Sequence, residues 1–439
     1  MAWLLNVLLV VVVLVAMALW VMLPWSGAVA LAVGLAAWLF LTRRGMQARS
    51  VVAVGLSSLR QRLGATAVVV VGIAGVVSVL VALLSMAEGY AQTLRKSGSA
   101  DTAVVMRGAS ASEVMSVLDR ESVALIAQAP GVARDAKGEP VASQEVVVAA
   151  NLPVSGGAAD EEGSVQLRGV GAQAWAVRPQ VKITSGKPFT PGLRELIVGK
   201  GAARQFAGLS PGNEVRLGAQ KWVVAGVFAS GDAMESEIWG DVNVVAETYG
   251  RGSGGRNAVT VRLTDPKAFG AFKTSLESNP QLKVDASTTL DYYSKQSEGM
   301  TKVLRIMGIT VGAIMAIGAA FGALNTMFAA VAARSREIAT LRAIGFSGVP
   351  VVAAVMLETM LLAMLGGLIG ALVAYLIFNG LDASTMAAGS VGKLSFELRV
   401  SPDLLWTGLK WALAIGFIGG LFPAVRAARL PVSTALREL

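Results

Sequence analysis

Cysteine and histidine are both missing from this 439-residue sequence. Their absence excludes thiol catalysis, disulfide bonds, Cys/His zinc sites and Ser-His-Asp catalysis. Charged residues are also scarce, at 15% of the chain against 54% hydrophobic residues, and the mean hydropathy is +0.61. This balance excludes an ordinary soluble globular protein and indicates an integral membrane protein.

Long apolar runs account for the composition. A bilayer core of about 30 Å needs roughly 20 apolar residues per helix, and six stretches approach that length. They cover residues 3–21, 27–41, 65–86, 303–333, 349–378 and 404–424. The second stretch is the shortest. Together, the first two stretches predict a helical hairpin that is retained in the mature protein and turns at residues 23–27.

The arginines predict which side of the membrane each loop faces. They follow the second, fourth and sixth stretches, at positions 43, 44, 49, 60 and 62, at 334, 336 and 342, and at 426, 429 and 437. The positive-inside rule then places these loops and the N-terminus in the cytoplasm and residues 88–300 outside. The net charge of +9 is therefore interpreted as a sign of topology and not of nucleic-acid binding.

The predicted fold class is a polytopic α-helical membrane protein of about six transmembrane helices with a large inserted extracytoplasmic α+β domain. In that domain, residues 88–300, short β-branched runs alternate with helical patterns. The predicted segments are an N-terminal hairpin (1–42), a cytoplasmic amphipathic helix (43–64), four further transmembrane helices (65–87, 301–333, 349–379 and 403–424), a cytoplasmic loop (334–348), a short outer segment (380–402) and a cytoplasmic tail (425–439).

The cytoplasmic loop SREIATLRAIG, residues 335–345, has the spacing of a short amphipathic helix. Ile338, Leu341 and Ile344 recur on one side, and the charged residues Arg336, Glu337 and Arg342 lie largely elsewhere. Such a helix is suited to docking into a groove on a cytoplasmic partner. A plain interfacial helix that links two spans explains the spacing equally well.

Several segments together resemble the FtsX-like, MacB-type permeases of ATP-binding-cassette systems. They are SREIATLRAIG, the span LETMLLAMLGGLIGALVAYLI, the C-terminal GGLFPAVRAARLPVSTALREL, SVVAVGLSSLRQRLGATAVVVVGIAGV before the outer domain, and RELIVGKGAARQFAGLSPGNEVRLGAQKWVVAGVF within it. The resemblance covers roughly residues 50–439. It implies four core helices per protomer and a MacB-like periplasmic core domain. The chain departs from the pattern by its N-terminal hairpin and by the lack of a fused ATPase domain.

The resemblance also implies partners. These are a cytoplasmic ABC ATPase dimer, a second permease protomer in a homo- or heterodimer, membrane lipids, a periplasmic adaptor and an outer-membrane channel. The sequence has no Walker A motif, so ATP and Mg²⁺ are expected in the ATPase, and no cofactor in this chain. The implied coupling residues are Arg336, Glu337, Ile338, Leu341 and Arg342.

The resemblance implies a non-catalytic permease subunit in the bacterial inner membrane that turns ATP hydrolysis into motion of its periplasmic domain, for export or for extraction of a substrate. An FtsX-like regulator of a periplasmic hydrolase, or a ligand sensor, is the alternative. A membrane enzyme is disfavoured because no catalytic constellation is recognisable. We expect the N-terminal hairpin to be accessory to the drive mechanism.

A few polar and small residues stand out inside the spans. Glu358 is an ionisable group in the fifth stretch and needs a partner or a wet cavity, and Lys410 in the sixth either approaches it or snorkels outward. Glycine pairs at 308/312, 318/322, 366/370 and 416/420 permit close helix contact, within or between protomers. An acidic cluster, Asp232, Glu235, Glu237 and Asp241, is interpreted as a solvated loop without assigned chemistry.

Overall fold

A computed structural model describes residues 19–59, 63–158, 161–252, 255–386 and 392–429. The chain divides into two compact units. The helical unit comprises Met1–Ser85, Leu304–Asn379 and Arg399–Leu439, and the sheet unit comprises Met86–Val303 and Gly380–Leu398. Most of the first predicted span, and Arg437 in the tail, lie outside the described residues.

The N-terminal part of the helical unit contains a sharp bend. Residues 19–22 are helical, and after Pro24 follow helices α1 (Trp25–Leu41) and α2 (Arg43–Leu59), whose axes differ by 96°. Thr42 makes the bend, because its hydroxyl donates to the Trp38 carbonyl at 2.8 Å and accepts from the Gly45 N–H at 3.0 Å. Only glycine fits at position 45, since a Cβ there would lie 2.1 Å from the Trp38 oxygen.

The sheet unit is built on one mixed sheet, preceded by helix α3 (Leu63–Lys96). Its strands are β1 (Thr102–Arg107), β2 (Ala142–Pro153), β3 (Glu162–Val170), β4 (Lys182–Gly186), β5 (Glu195–Gly199), β6 (Glu214–Leu217), β7 (Gln220–Ala229), β8 (Glu237–Asp241), β9 (Ala258–Arg262) and β10 (Val284–Thr288). The order across the sheet is β10-β1-β9-β2-β3-β8-β5-β7-β4, with β6 also paired to β7. Only β3–β8 and β5–β7 are parallel among these pairs.

Short helices connect the strands and cover two apolar cores. They are α4 (Arg120–Ala127), α5 (Ala174–Val177), α6 (Lys200–Gln205), α7 (Val242–Thr248) and α8 (Ala268–Glu277). One core surrounds the fully buried Trp222, and the other contains Phe272 of α8 and Ile126 of α4. The mixed α+β domain expected from the sequence is therefore confirmed.

The C-terminal part returns to long helices. They are α9 (Thr289–Ala333), α10 (Ser335–Ala343), α11 (Gly348–Phe378) and α12 (Pro402–Arg429). Between α11 and α12, the predicted short outer segment forms an antiparallel hairpin, β11 (Asp382–Met386) and β12 (Lys393–Glu397), within the sheet unit. The Ser395 N–H donates to Ser236 Oγ at 2.8 Å, and the Phe396 ring meets Tyr90 edge-on.

Four helices in the described part of the chain are long and apolar enough to cross a membrane, namely Thr66–Lys96, Thr289–Ala333, Gly348–Phe378 and Pro402–Arg429. The bent pair α1 and α2 would make a fifth if counted as one span. The expectation of six spans is thus not confirmed, whereas the four core helices are. The helix α1 that corresponds to the second predicted stretch is only 17 residues long.

Three of the four glycine pairs make contacts inside the helical unit. A Cβ at Gly370 would lie 2.4 Å from the Ala74 oxygen of α3, and one at Gly416 would lie 2.4 Å from Ala363 Cβ. A Cβ at Gly312 would lie 2.6 Å from Leu80 Cδ1. At Gly318 and Gly322 a Cβ would meet nothing within 4 Å.

Candidate coupling site

Helix α10 forms where the sequence predicts a cytoplasmic amphipathic helix. Arg334 occupies the N-cap position before α10. Gly345, at φ +104°, follows the end of the helix in the left-handed conformation that glycine adopts most easily. The Gly345 N–H donates to the Arg342 carbonyl and the Phe346 N–H to the Leu341 carbonyl, at 3.2 and 3.1 Å. This Schellman pattern stops α10 after nine residues.

The structure divides the predicted apolar ridge of α10 between two environments. Ile338 is 7% exposed and belongs to a cluster inside the helical unit with Met327, Val331, Val351, Val355, Ala424 and Ala427. Leu341 is half-buried, whereas Ile344 is 70% exposed. Ile338 therefore holds α10 on its own bundle and is not available at the surface for a partner.

The charged coupling residues have different exposures. Arg336 and Glu337 are exposed, and Arg342 is half-buried. The face of α10 that remains accessible contains Arg336, Glu337, Thr340, Ala343 and Ile344. Their role in coupling stays a prediction, and on this structure it depends on Ile344 more than on Ile338.

Glu358 of α11 pairs with Arg334, at the break between α9 and α10. Arg334 Nη2 lies 2.6 Å from Glu358 Oε1, and their side chains are 13% and 6% exposed. The sequence predicts that Glu358 needs a partner or a wet cavity, and Lys410 was one candidate partner. The structure keeps these two apart, since Lys410 donates to the carbonyls of Val21 and Leu23. The ion pair thus joins Arg334, the N-cap residue of α10, to the first third of the neighbouring span α11.

A second polar cluster, in the sheet unit, was not predicted. Residues two apart on a strand share a face, so Glu145 of β2, Arg168 of β3 and Glu237 of β8 project from one face of the sheet. Arg168 is 1% exposed and lies 2.7 Å from a carboxylate oxygen of both Glu145 and Glu237. Glu113 and Arg178 complete the cluster, by pairing with Arg168 and Glu145 respectively.

Electrostatic interactions within the cluster favour the charged forms of Glu145 and Arg168. Burial opposes ionisation of Glu145, but Arg178 and Arg168 outweigh it, and the pKa of the carboxyl is lowered. Burial likewise opposes the charge of Arg168, but Glu113, Glu237 and Glu145 outweigh it and raise its pKa. A cavity of about 40 Å³ borders the cluster and is lined by Leu94 of α3, Tyr293 of α9 and Lys393 of β12, among others.

The interpretation of the acidic cluster as a solvated loop is wrong. Asp232, Glu237 and Asp241 are all buried, and Glu235 is half-buried. Asp241 accepts from the N–H groups of Asn243 and Val244 and so caps α7, and Asp232 caps the turn Ala233–Ser236. Burial raises the pKa of Asp232. These carboxylates have structural roles, and the described residues contain no group of three or more Asp, Glu, His or Cys side chains placed to hold a metal ion.

The fold and these sites define a class of protein, a multi-pass membrane protein with a large mixed α/β domain inserted after the first core span. The FtsX-like permease C-terminal family matches residues 309–432, and the MacB-like periplasmic core domain family matches residues 66–279. The chain belongs to the FtsX-like, MacB-type ABC transporter permeases. It is accordingly a multi-pass inner-membrane protein.

Two curated relatives are described as ABC transporter permeases. An uncharacterized ABC transporter permease of Bacillus subtilis, YknZ, is 25% identical over 58% of this chain and 66% of its own length. The uncharacterized permease MJ1507 of Methanocaldococcus jannaschii is 23% identical over 55% of this chain and 62% of its own. The chain thus covers just under two thirds of each of these relatives.

Two solved domains are also similar to part of the chain. The extracellular domain of the noncanonic ABC-type transporter YknZ from Gram-positive bacteria is 17% identical, with a TM-score of 0.33 over 43% of this chain and 100% of its own. The periplasmic region of MacB from Actinobacillus actinomycetemcomitans is 14% identical, with a TM-score of 0.34 over 45% of this chain and 93% of its own.

Proposed function

We propose that this chain is the permease subunit of an ATP-driven complex in which a separate cytoplasmic ATPase dimer supplies the energy. Membership of the ABC permease family supports an ATPase partner, and the absence of a Walker A motif from the sequence supports placing hydrolysis in another chain. ATP and Mg²⁺ are then bound by that ATPase. A second permease protomer, identical or different, completes the assembly.

The observation that carries the proposal is the way α10 is held. Ile338 and the Arg334–Glu358 pair fix α10 to the helical unit, and Glu337 and Ile344 remain exposed on it. A helix fixed on one face and accessible on the other can receive a force from a partner and pass it to the spans. In this mechanism, closure of the ATPase dimer displaces α10, and the ion pair transmits the displacement to α11.

The long helix α9 extends this path. This helix runs without interruption from Thr289 to Ala333, the residue before Arg334. It therefore contains residues of both units. Displacement of its cytoplasmic end would therefore move the sheet unit. The work done outside would be the expulsion or extraction of an extracytoplasmic substrate, without passage through a channel in the bilayer.

The exposed face of α10 provides the test. Ile344→Asp should weaken co-purification of the host ATPase and permease-stimulated ATP hydrolysis by about tenfold or more, because burial of such a side chain contributes roughly 1.5–3 kcal/mol. Leu193→Asp, at a position 52% exposed in the sheet unit, is the matched control and should leave both unchanged. Ile338→Asp would instead disturb the bundle itself, so it cannot report on docking.

Unchanged ATPase affinity in a correctly inserted Ile344→Asp protein would place the docking surface elsewhere, on α2 or on the C-terminal tail. Loss of binding in both Ile344→Asp and Leu193→Asp would mean that the assay reports folding and not docking.

A further inference from the structure

Lys410 occupies an unusual position for a lysine in an apolar span. It lies eight residues into α12, about 12 Å along the helix from Pro402, and is only 8% exposed. A buried ammonium in such a span is costly unless polar groups replace its water. Glu358, the acidic residue of the neighbouring span α11, is already paired with Arg334.

The N-terminal segment supplies the missing partners. The Lys410 ammonium donates to the Val21 carbonyl and, at 3.4 Å, to the Leu23 carbonyl. In return, the Trp20 indole N–H donates to the Lys410 backbone carbonyl at 2.9 Å. Hydrogen bonds are therefore donated in both directions between the segment before α1 and Lys410, in the first third of α12.

Pro24 explains why these carbonyls need a donor. The helical turn at residues 19–22 ends there, because proline has no N–H and adopts ψ 158°. Terminal carbonyls of a helix have no partner within the helix, and away from water each unsatisfied group is costly. A cation at this helix end satisfies the carbonyls and also interacts favourably with the helix dipole.

We propose that Lys410 anchors the N-terminal segment, residues 19–41, to the last span and makes it a built-in part of the helical unit. The carbonyls and the ammonium satisfy each other in this contact, since each would lack a hydrogen-bond partner without the other. The segment lies outside both matched family regions, whereas Lys410 lies inside one of them. The inference concerns how this additional segment is attached and does not depend on the proposed function.

A buried alanine in the anchored segment provides a position for a probe. Ala28, in the first turn of α1, is 7% exposed, whereas the next residue, Val29, is 49% exposed. The natural chain contains no cysteine, so Ala28→Cys is the single thiol in the full-length protein. Combining it with Lys410→Met should accelerate its reaction with a maleimide on the order of tenfold, because charged hydrogen bonds that hold the segment are lost.

Three controls sharpen this experiment. Val29→Cys should react at the same rate with either residue at position 410, because Val29 is already exposed. Lys410→Arg keeps the cation and should keep Ala28→Cys protected. Lys302→Met removes an equal charge from an exposed site and should also leave the protection unchanged. Equal reactivity of Ala28→Cys in the Lys410 and Lys410→Met proteins would overturn the proposal.

Deletion of residues 1–42 gives a second test that remains valid if Lys410→Met alone inserts poorly. The deletion exposes the Lys410 ammonium to an apolar surrounding, so the yield of folded protein in detergent should fall. Adding Lys410→Met to the deletion should restore most of that yield. An equal loss with Lys and with Met at position 410 would contradict the anchoring role.

Discussion

At the scale of single residues, Arg334 and Glu358 form the ion pair on which the proposed coupling depends. Glu358→Gln should lower the apparent melting temperature of the solubilised protein, because breaking a buried pair leaves an uncompensated charge, which costs about 3–5 kcal/mol. It should also reduce ATPase stimulation more than ATPase binding. The exchanged pair Arg334→Glu with Glu358→Arg should recover part of both losses.

Glu214→Gln is the matched control for that measurement. Glu214 pairs with Lys221, but both side chains are more than half exposed, and such surface pairs contribute little. If Glu358→Gln changes the melting temperature no more than Glu214→Gln does, the Arg334 contact is not a structural tie.

The buried cluster of the sheet unit gives a prediction about pH. The folded state lowers the pKa of Glu145 below its usual value of 4.5, so the unfolded chain binds the proton more readily, and stability rises with pH through this window. The contribution is complete above about pH 4.5 and is lost as the pH falls through the folded pKa. Glu145→Gln should lower the melting temperature at pH 7. It should also make the melting temperature fall less between about pH 5 and about pH 3, the range in which carboxyl groups titrate.

The melting temperature of Glu145→Gln could instead fall with acid as steeply as that of the natural protein. Other carboxyl groups would then be responsible for the acid sensitivity. Asp232 acts in the opposite sense, since burial raises its pKa and acid relieves that cost. The comparison therefore needs Glu145→Gln and the natural protein measured under identical buffers.

The sequence predicted the ionisable residues of the spans but not their partners. It indicated that Glu358 needs a partner, yet Arg334 could be assigned only to topology, because 24 residues and a helix break separate the two. Glu237 similarly resembled part of an exposed acidic loop. Its burial depends on the parallel pairing of β3 with β8, which sets Arg168 opposite Trp239, and such a long-range register leaves no local pattern.

At the scale of elements, helix packing in the bundle depends on particular glycines. Gly370→Ala should lower the melting temperature and the yield, because the new Cβ would lie 2.4 Å from the Ala74 oxygen, and two helix backbones would have to separate. Gly318→Ala is the control, since its Cβ meets nothing within 4 Å. It should be neutral or stabilise slightly, because alanine favours helix by about 1 kcal/mol over glycine. Equal effects of the two substitutions would contradict the packing.

Elements were predictable where their own periodicity is strong. The helices α3, α9, α11 and α12 contain the four predicted core stretches, and α10 begins at the predicted residue. The hairpin β11–β12 was missed because its pairing is completed by contacts with distant residues such as Ser236 and Tyr90. Strand β4 leaves no such pattern in the sequence, because it is short, lies at the edge of the sheet and is exposed on both faces.

At the scale of the whole molecule, the arginine clusters predict one topology. The positive-inside rule places all three clusters on the cytoplasmic side: at the start of α2, between α9 and α11, and at the end of α12. The sheet unit is then predicted to lie outside. Ser347→Cys, exposed before α11, should therefore resist an impermeant maleimide in intact spheroplasts. Ser185→Cys, exposed on β4, should react. Both should react after lysis, and reaction of Ser347→Cys in intact spheroplasts would reverse the topology and remove α10 from reach of a cytoplasmic ATPase.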